Sequence, residues 1–501
     1  MTPALDEFLQ PLAVNAETLL TLSRGFLATF RRLSAESQDQ FLPTPISESI
    51  LRSPPKDQGR FLAIDIGGTN LRVGFVELLG ENAPSQPNGS PCSGRLNRLL
   101  EKSWPIQEHL KNENSESLFS WVGKRVAEVV GEGCDAFALP PDHELPMGVT
   151  FSFPMQQKSL AEATLMPMGK GFAVTSRLDL AGHLRKGYET HRTSGMPPIR
   201  IAAIANDAVA TLVSFVYQFA AEPHQKAAMS LIVGTGCNAT LPLKLSSLHE
   251  SKRPASISIL PGQDISHVKI AVNTEWSIKG SAPPLRKLGL VNRWDVALDQ
   301  AGEAPGFQPL EYMTAGRYLG ELARLIFVDY CATVLRLPRD ALPQKLRQRF
   351  GLTTTFISHL YPDSHKGPIQ QQLEREFPPE STLFRWTLEL AEAVYLIARA
   401  IQIRAAGIVA AATVGLLRCA QEIPDSGPGD DGVTELVVGY TGGCIEHFQN
   451  YRSDTQRFIN EILNREFAGR PPVKVVLAAY HDGGITGAGI LVPAALASHN
   501  T

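Results

Sequence analysis

Residues 61–74 read FLAIDIGGTNLRVG, and the rest of the chain is organised around them. Leu62, Ile64 and Ile66 make an apolar run of strand type, and a second apolar run carries Arg72. Between the runs stand Asp65, then Gly67, Gly68, Thr69 and Asn70. Two glycines let the backbone turn tightly and bring its N–H groups against a ligand with no Cβ in the way. Donors in such a turn suit phosphate oxygens. A carboxylate beside them, here Asp65, can hold the Mg2+ that accompanies a nucleotide, directly or through water. A plain β-hairpin closed by Gly-Gly accounts for the same residues, and short glycine motifs also match by chance. The stretch alone leaves both readings open.

The chain has 501 residues, 43% hydrophobic and 19% charged, the balance of an ordinary globular protein. That length exceeds one compact core, so at least two domains or lobes are expected. A formal net charge of -3 gives no reason to expect nucleic acid or an anionic membrane as partner. The cysteines (Cys92, Cys134, Cys237, Cys331, Cys419, Cys444) are scattered, with no CxxC pair. That argues against a disulfide framework or zinc site and for a reducing compartment. The N-terminus, MTPALDEFLQPL, lacks the pattern of a secretory signal or a transit peptide. The most apolar stretch, 405–417, is shorter than a membrane span and is flanked by Arg404 and Arg418. A cytoplasmic protein without membrane insertion is the expectation.

Asn15 is placed to cap a helix over 15–33, with Leu19, Leu22, Phe26 and Phe30 on one face. Pro43, Pro45, Pro54 and Pro55 mark an extended lead-in to the first strand pair. Residues 81–95, rich in Pro, Ser, Asn and Gly, read as a surface loop. The pattern predicts helices over 117–130, 208–219, 312–335 and 383–418 and from about residue 487. It predicts strands over 145–154, 199–205, 229–233, 270–276, 435–439 and 473–478. Strands alternating with helices give an α/β class with helices over mostly buried sheets. The turns after Asp65 and Val233 could head two similar sheets facing each other.

Four apolar runs break into glycine turns: DIGGTN (65–70), VGTGCN (233–238), GYTGGC (439–444) and HDGGITG (481–487). One such turn is punctuation, whereas four converging on a cleft would wrap a polyphosphate and its nucleoside. Asn206–Asp207 sits where a strand ends and a helix begins. Either residue can be an N-cap, and Asp207 can also be a base that accepts the proton of an attacking hydroxyl. Taken singly, the cap explains it. Glu275 in NTEW and Glu311 in PGFQPLE are surface acids or acceptors of sugar hydroxyl hydrogens. Lys170 in MGKGF is a solvated charge or, pressed between glycines, a cation reaching into a site.

The segments LAIDIGGTNLRV (62–73), GVTFSFPMQQ (148–157), KGF (170–172), IANDAVATL (204–212), GTGCNA (234–239), NTEW (273–276), PGFQPLEYMTAGRYLGEL (305–322) and DGGITGAG (482–489), in this order, resemble the eukaryotic hexokinase family. The likeness runs from about Leu42 almost to the end. It implies the two-lobed, actin-like (ribonuclease H-like) α/β fold of sugar kinases, with a cleft that closes on the sugar. Residues 1–60 would then be a helix and lead-in on the large lobe. The small lobe would take 61–207 and the large lobe 208–478, with 479–501 a C-terminal helix returning to the small lobe. A monomer or weak homodimer is expected.

The resemblance also implies transfer of the γ-phosphoryl of MgATP to a hexose 6-hydroxyl. Asp207 matches the family's catalytic base, assisted by Lys170. Ser152, Lys170, Asn206, Asn238, Glu275 and Glu311 match sugar-contacting positions. Gly67, Gly68, Thr69, Asn70 and Arg72 match the first phosphate turn, with Asp65 near the metal. Gly234, Thr235 and Gly236 match the second phosphate turn. Gly316, Gly442, Gly443, Asp482 and Gly483 fall on the adenosine side.

Three departures stand out. Met168 and Gly169 replace the tryptophan and threonine the family usually writes before KGF. Thr441–Gly442–Gly443 and the final DGG each replace a DGS. Gly169, taken as facing the substrate, leaves room for an acetamido group, and MGKGF looks like the fungal hexokinase-type N-acetylglucosamine kinases. N-acetylglucosamine is therefore the expected acceptor, with glucose second. The alternatives are a glucose, mannose or fructose hexokinase, or a catalytically silent sugar sensor. A silent relative would often have lost Asp207, the phosphate glycines, Glu275 or Glu311, all of which this chain keeps.

Overall fold

The structure is a computed structural model that describes residues 3–52, 59–80, 95–107, 109–110, 115–153, 155–166, 178–219, 221–361, 367–425, 432–481 and 483–498. Strands β2 (Gly59–Ile66) and β3 (Asn70–Leu78) form an antiparallel hairpin in which Leu62 faces Phe75 and Asp65 faces Arg72. The last six residues of β2 are all buried, as in a strand covered on both faces of its sheet. β4 (Leu96–Pro105) pairs antiparallel outside β3. On the other side β5 (Leu145–Phe151) and β8 (Ile199–Ala205) add in parallel, giving the order β4-β3-β2-β5-β8.

The second sheet repeats this plan. β9 (Gln225–Val233) and β10 (Cys237–Lys244) form an antiparallel hairpin around Gly234–Gly236. β11 (Lys269–Asn273) lies antiparallel outside β10, and β12 (Glu435–Thr441) and β13 (Lys474–Ala479) add in parallel beyond β9. The order β11-β10-β9-β12-β13 therefore matches the first sheet strand for strand and sense for sense. The expected pair of similar sheets is present. β1 (Leu42–Ser47) extends the second sheet beyond β11, and as an edge strand it tolerates Pro43 and Pro45. β6 (Met155–Ser159) and β7 (Glu162–Leu165) make a separate ribbon.

Helices cover both sheets. Asn15 Oδ1 accepts the amide of Thr18 at 2.9 Å and caps the Ala16–Glu36 helix, whose Leu19, Leu22, Phe26 and Phe30 are fully buried. This helix packs along Leu388–Cys419, a helix of 32 residues. The apolar stretch at 405–417 is thus the second half of a helix long and apolar enough to cross a bilayer. Here it is enclosed by the protein's own core. Its Arg404 is completely buried and forms a two-pronged ion pair with Asp295, both bonds 2.7 Å.

Several predicted elements are corrected. The helix expected over 312–335 is two, Pro309–Thr314 and Gly316–Thr333. It breaks at extended Ala315, and the amides of Gly316 and Arg317 turn outward to the carbonyls of Gly234 (2.8 Å) and Thr235 (3.2 Å). The strand expected over 270–276 ends at Asn273, because Glu275 adopts a φ of 45° and reverses the chain. The helix expected from 383 begins at Leu388, and the last helix, Gly483–Ser498, begins a turn earlier than expected.

Two helices tie the sheets together. Asp207–Gln218 leaves the end of β8, and its Ala208 carbonyl accepts Ser230 Oγ of β9 at 3.3 Å. Gly483–Ser498 returns from β13 to the first sheet, where Thr150 Oγ1 donates to the Gly484 carbonyl at 2.9 Å.

Candidate active site

β2, β5 and β8 are parallel neighbours, and at or just beyond their carboxyl ends stand Asp65, Ser152 and Asp207. In an open α/β sheet this is where ligands bind. Asp65 occupies the penultimate position of β2, 9% exposed. The Ser152 amide donates to the carbonyl of Ile66 at 3.0 Å, holding the turn after β5 against the first glycine turn. Asp207 opens its helix, capped by Asn206, whose Oδ1 accepts the Ala208 amide at 2.9 Å and whose Nδ2 donates to the Phe153 carbonyl at 3.2 Å. Asp207 Oδ1 reaches the same Ala208 amide at 2.9 Å. The cap role and the site position therefore coexist in this dipeptide.

Asp65 is electrostatically unusual. Burial, and then the charge of Asp207, push its carboxyl up to about 6, while Arg72 Nη1 at 3.3 Å pulls it back down. A buried carboxylate whose ionisation is opposed by burial and by a second carboxylate is one that a cation relieves.

The four glycine turns sort into two groups. The first turn is a hairpin, Gly67 N donating to Asn70 O at 2.9 Å. A Cβ on Gly68 would meet nothing within 4 Å, so its outer edge is free to receive a ligand, with Thr69 and Asn70 beside it. The fourth turn comes to the same place, where Gly484 lies so close to Asp65 that a Cβ would be 2.5 Å from Oδ2. Gly483 packs on Thr211 of the Asp207 helix. The second and third turns meet each other. Gly442, with φ 121°, presses on the Val233 backbone so closely that a Cβ would be 2.5 Å from its carbonyl carbon. Gly443 lies next to it, and Gly316 donates to Gly234. Thus Gly234, Thr235, Gly236, Gly316, Gly442 and Gly443 share one corner. Gly483 is correspondingly not with the third turn but with the first.

The acids of the second sheet gather at the β9–β10 hairpin. Asn238 Nδ2 donates to Asn273 Oδ1, and Asn273 Nδ2 donates to Glu275 Oε1, each at 2.8 Å. Glu311 Oε2 accepts the Cys237 amide at 3.3 Å and Ser277 Oγ at 3.4 Å, against Gly236. Asn273 and Ser277 were not singled out from the sequence, although Asn273 opens the NTEW motif that holds Glu275 and Ser277 follows it. Lys170, Gly169 and Asp482 lie outside the described residues. Two surface hollows, of about 280 and 710 Å³, are lined by other residues, around Tyr330 and Leu390 and around Asn460 and Val475 respectively.

Two hexokinase family models match the chain, one over residues 4–217 and one over residues 228–494. Hexokinase-1 of Nicotiana tabacum is 28% identical over 440 residues, covering 87% of this chain and 79% of its own length. Hexokinase-1 of Oryza sativa subsp. japonica is 29% identical over 449 residues, covering 87% and 80%. The solved hexokinase from Schistosoma mansoni, complexed with glucose, has a TM-score of 0.73 at 23% identity and covers 98% of both chains. That structural likeness bears on the fold, the two-lobed sugar kinase architecture that the paired sheets display. With family models spanning both sheets, the chain belongs to the hexokinase family of hexose kinases.

Proposed function

We propose that this hexose kinase transfers the γ-phosphoryl group of MgATP to the 6-hydroxyl of a hexose, with N-acetylglucosamine preferred over glucose. The observation that carries the transfer is the placement of Asp65 at the carboxyl end of β2 and Asp207 just past that of β8, with only β5 between them, beside the open first glycine turn. A sugar hydroxyl is a poor nucleophile, and Asp207 takes its proton as the new bond forms. The N–H-rich turns at Gly67–Asn70 and Gly234–Gly236 grip the phosphates, and Lys170 adds positive charge where negative charge spreads. Asp65 is the carboxylate placed to hold, directly or through water, the Mg2+ that would accompany ATP and supply positive charge against its phosphates. Asn238, Glu275 and Glu311 accept sugar hydroxyl hydrogens, while Ser152 and Asn206 complete the opposite wall. Closure of the lobes on the sugar would assemble these parts and exclude water as acceptor.

The sugar preference rests on Pro167–Met168–Gly169–Lys170, where Gly169 supplies no side chain to fill the space an acetamido group needs. The five described cysteines carry no disulfide, which supports a cytoplasmic setting. The purified chain, assayed for ADP release with N-acetylglucosamine, glucose, mannose and fructose, tests the proposal. The expected result is a higher kcat/KM for N-acetylglucosamine than for glucose, and a clear glucose preference overturns the sugar assignment. If no sugar stimulates ADP release while sugars still raise the melting temperature, the protein is a sensor and the transfer reading falls.

A further inference from the structure

Glu275 is held from behind by a segment more than two hundred residues away. Its φ of 45° is a backbone conformation that a non-glycine side chain keeps only when its surroundings impose it. The surroundings here are residues 40–42. Gln40 Nε2 donates to the Glu275 carbonyl at 2.8 Å, the Phe41 amide donates to the Thr274 carbonyl at 3.0 Å, and Leu42 is the β1 partner of Asn273. Phe41 is itself left-handed, with φ 56°. Gln40 is 2% exposed, and its Oε1 fills the space where a Cβ on Gly280 would be 1.9 Å away. Behind it Lys252, 8% exposed, donates to the Gln40 carbonyl at 2.9 Å, and burial pushes its ammonium down to about 8. A buried amide and a buried ammonium are costly unless their bonds are needed. The Lys252 bond ends at Gln40 and the Gln40 bond at Glu275, whose carboxylate accepts Asn273 Nδ2.

We propose that Gln40, backed by Lys252, is a positioning residue for Glu275: it fixes the acid's backbone so that its carboxylate meets the sugar without rearrangement. This rests on the reading of Glu275 as a sugar acceptor. Gln40 touches neither sugar nor nucleotide, and it acts on hexose binding alone.

Steady-state kinetics of Gln40→Met, Glu275→Gln and the double variant test this, with melting temperatures measured alongside. Gln40→Met keeps the side chain's length and removes its amide. Its hexose KM is expected to rise about tenfold, the scale of one lost hydrogen bond. KM for MgATP and kcat at saturating sugar should stay within about twofold, the signature of lost ground-state binding. In the Glu275→Gln background the same change should add less than about twofold, because the two act as a unit. Equal increases in both backgrounds, or parallel rises in both KM values with a fallen melting temperature, would make Gln40 merely structural and overturn the proposal. So would an unchanged hexose KM in Gln40→Met while Glu275→Gln raises it. If Glu275→Gln leaves hexose KM unchanged, the sugar reading itself has failed and the proposal goes with it. Should Gln40→Met give no soluble protein, Lys252→Met loosens Gln40 through its carbonyl. It is expected to raise hexose KM about threefold at constant MgATP KM, and no change there overturns the proposal.

Discussion

Replacing Asp65 with Asn should make the ligand-free protein more stable and the enzyme worse. Asp65 is nearly buried, and its carboxyl is pushed up to about 6 first by burial and then by Asp207, with Arg72 only partly opposing them. The difference between about 6 and the ordinary 3.8 corresponds to about 3 kcal/mol by which the fold disfavours the ionised form. The loss of the Arg72 pair is already inside that figure. Asn has the shape of the neutral acid and cannot ionise, so above pH 6 the variant should gain up to about 3 kcal/mol. The sign follows from the raised folded value. The contribution Asp65 makes while protonated is complete below the unfolded value of 3.8 and is lost as pH rises through about 6. The advantage of Asp65→Asn should therefore be absent below 3.8, grow between there and 6, and level off above.

Urea unfolding in EDTA at several pH values, followed by tryptophan fluorescence, measures this directly. Saturating MgATP should narrow the gap, because a ligand that binds the native wild type more tightly stabilises it preferentially. The kcat/KM for MgATP should fall about 10–100-fold in the variant, the usual cost of losing outer-sphere support of a metal. An Asp65→Asn protein less stable than wild type at pH 8 in EDTA, or a difference that ignores pH, would refute the reasoning.

Other outcomes follow from single contacts. Asp207→Ala should lower kcat by about 10²–10⁴-fold, the contribution of a general base, while hexose still raises the melting temperature. Gly442→Ala must place a Cβ 2.5 Å from the Val233 carbonyl carbon at a φ of 121°. It should destabilise the protein by about 1–3 kcal/mol and raise KM for MgATP more than KM for hexose. Asp295→Ala leaves the fully buried Arg404 without its carboxylate and should cost about 3–5 kcal/mol in urea unfolding. Asp295→Leu combined with Arg404→Met should recover most of that loss, since apolar replacements of a buried pair are often neutral.

What could be read in advance was whatever short-range chemistry decides. The hairpin around Gly67 and Gly68 follows from apolar alternation and two adjacent glycines, and the caps at Asn15 and Asn206 follow from residue type at a helix start. β8 was legible to the residue because Ile199–Ala205 is apolar apart from an exposed Arg200 and ends at Asn206. β1 was legible only as an extended lead-in, since two prolines in six residues argue against a strand until β11 supplies a partner on one side only. β4 was not legible, because its residues are mostly half-exposed and do not alternate.

The break at Ala315 shows the deeper reason. Nothing in PLEYMTAGRYLG argues against one continuous helix. The helix stops because Gly234 and Thr235, eighty residues earlier, offer better-placed carbonyls to Gly316 and Arg317. The same logic divided the glycine turns. Each was recognisable as a turn, but which turns meet is decided by strand order, and parallel crossovers put β2 beside β5 and β9 beside β12. Hence Gly483, which the resemblance put on the adenosine side, packs on the Asp207 helix with Gly484 abutting Asp65, whereas Gly442 joins Gly234. That pairing has a consequence for the chemistry. The helix that starts at Gly483 touches both Asp65 and the Asp207 helix, so one element packs against the supports of both carboxylates. Neither contact could have been located from a glycine motif read alone.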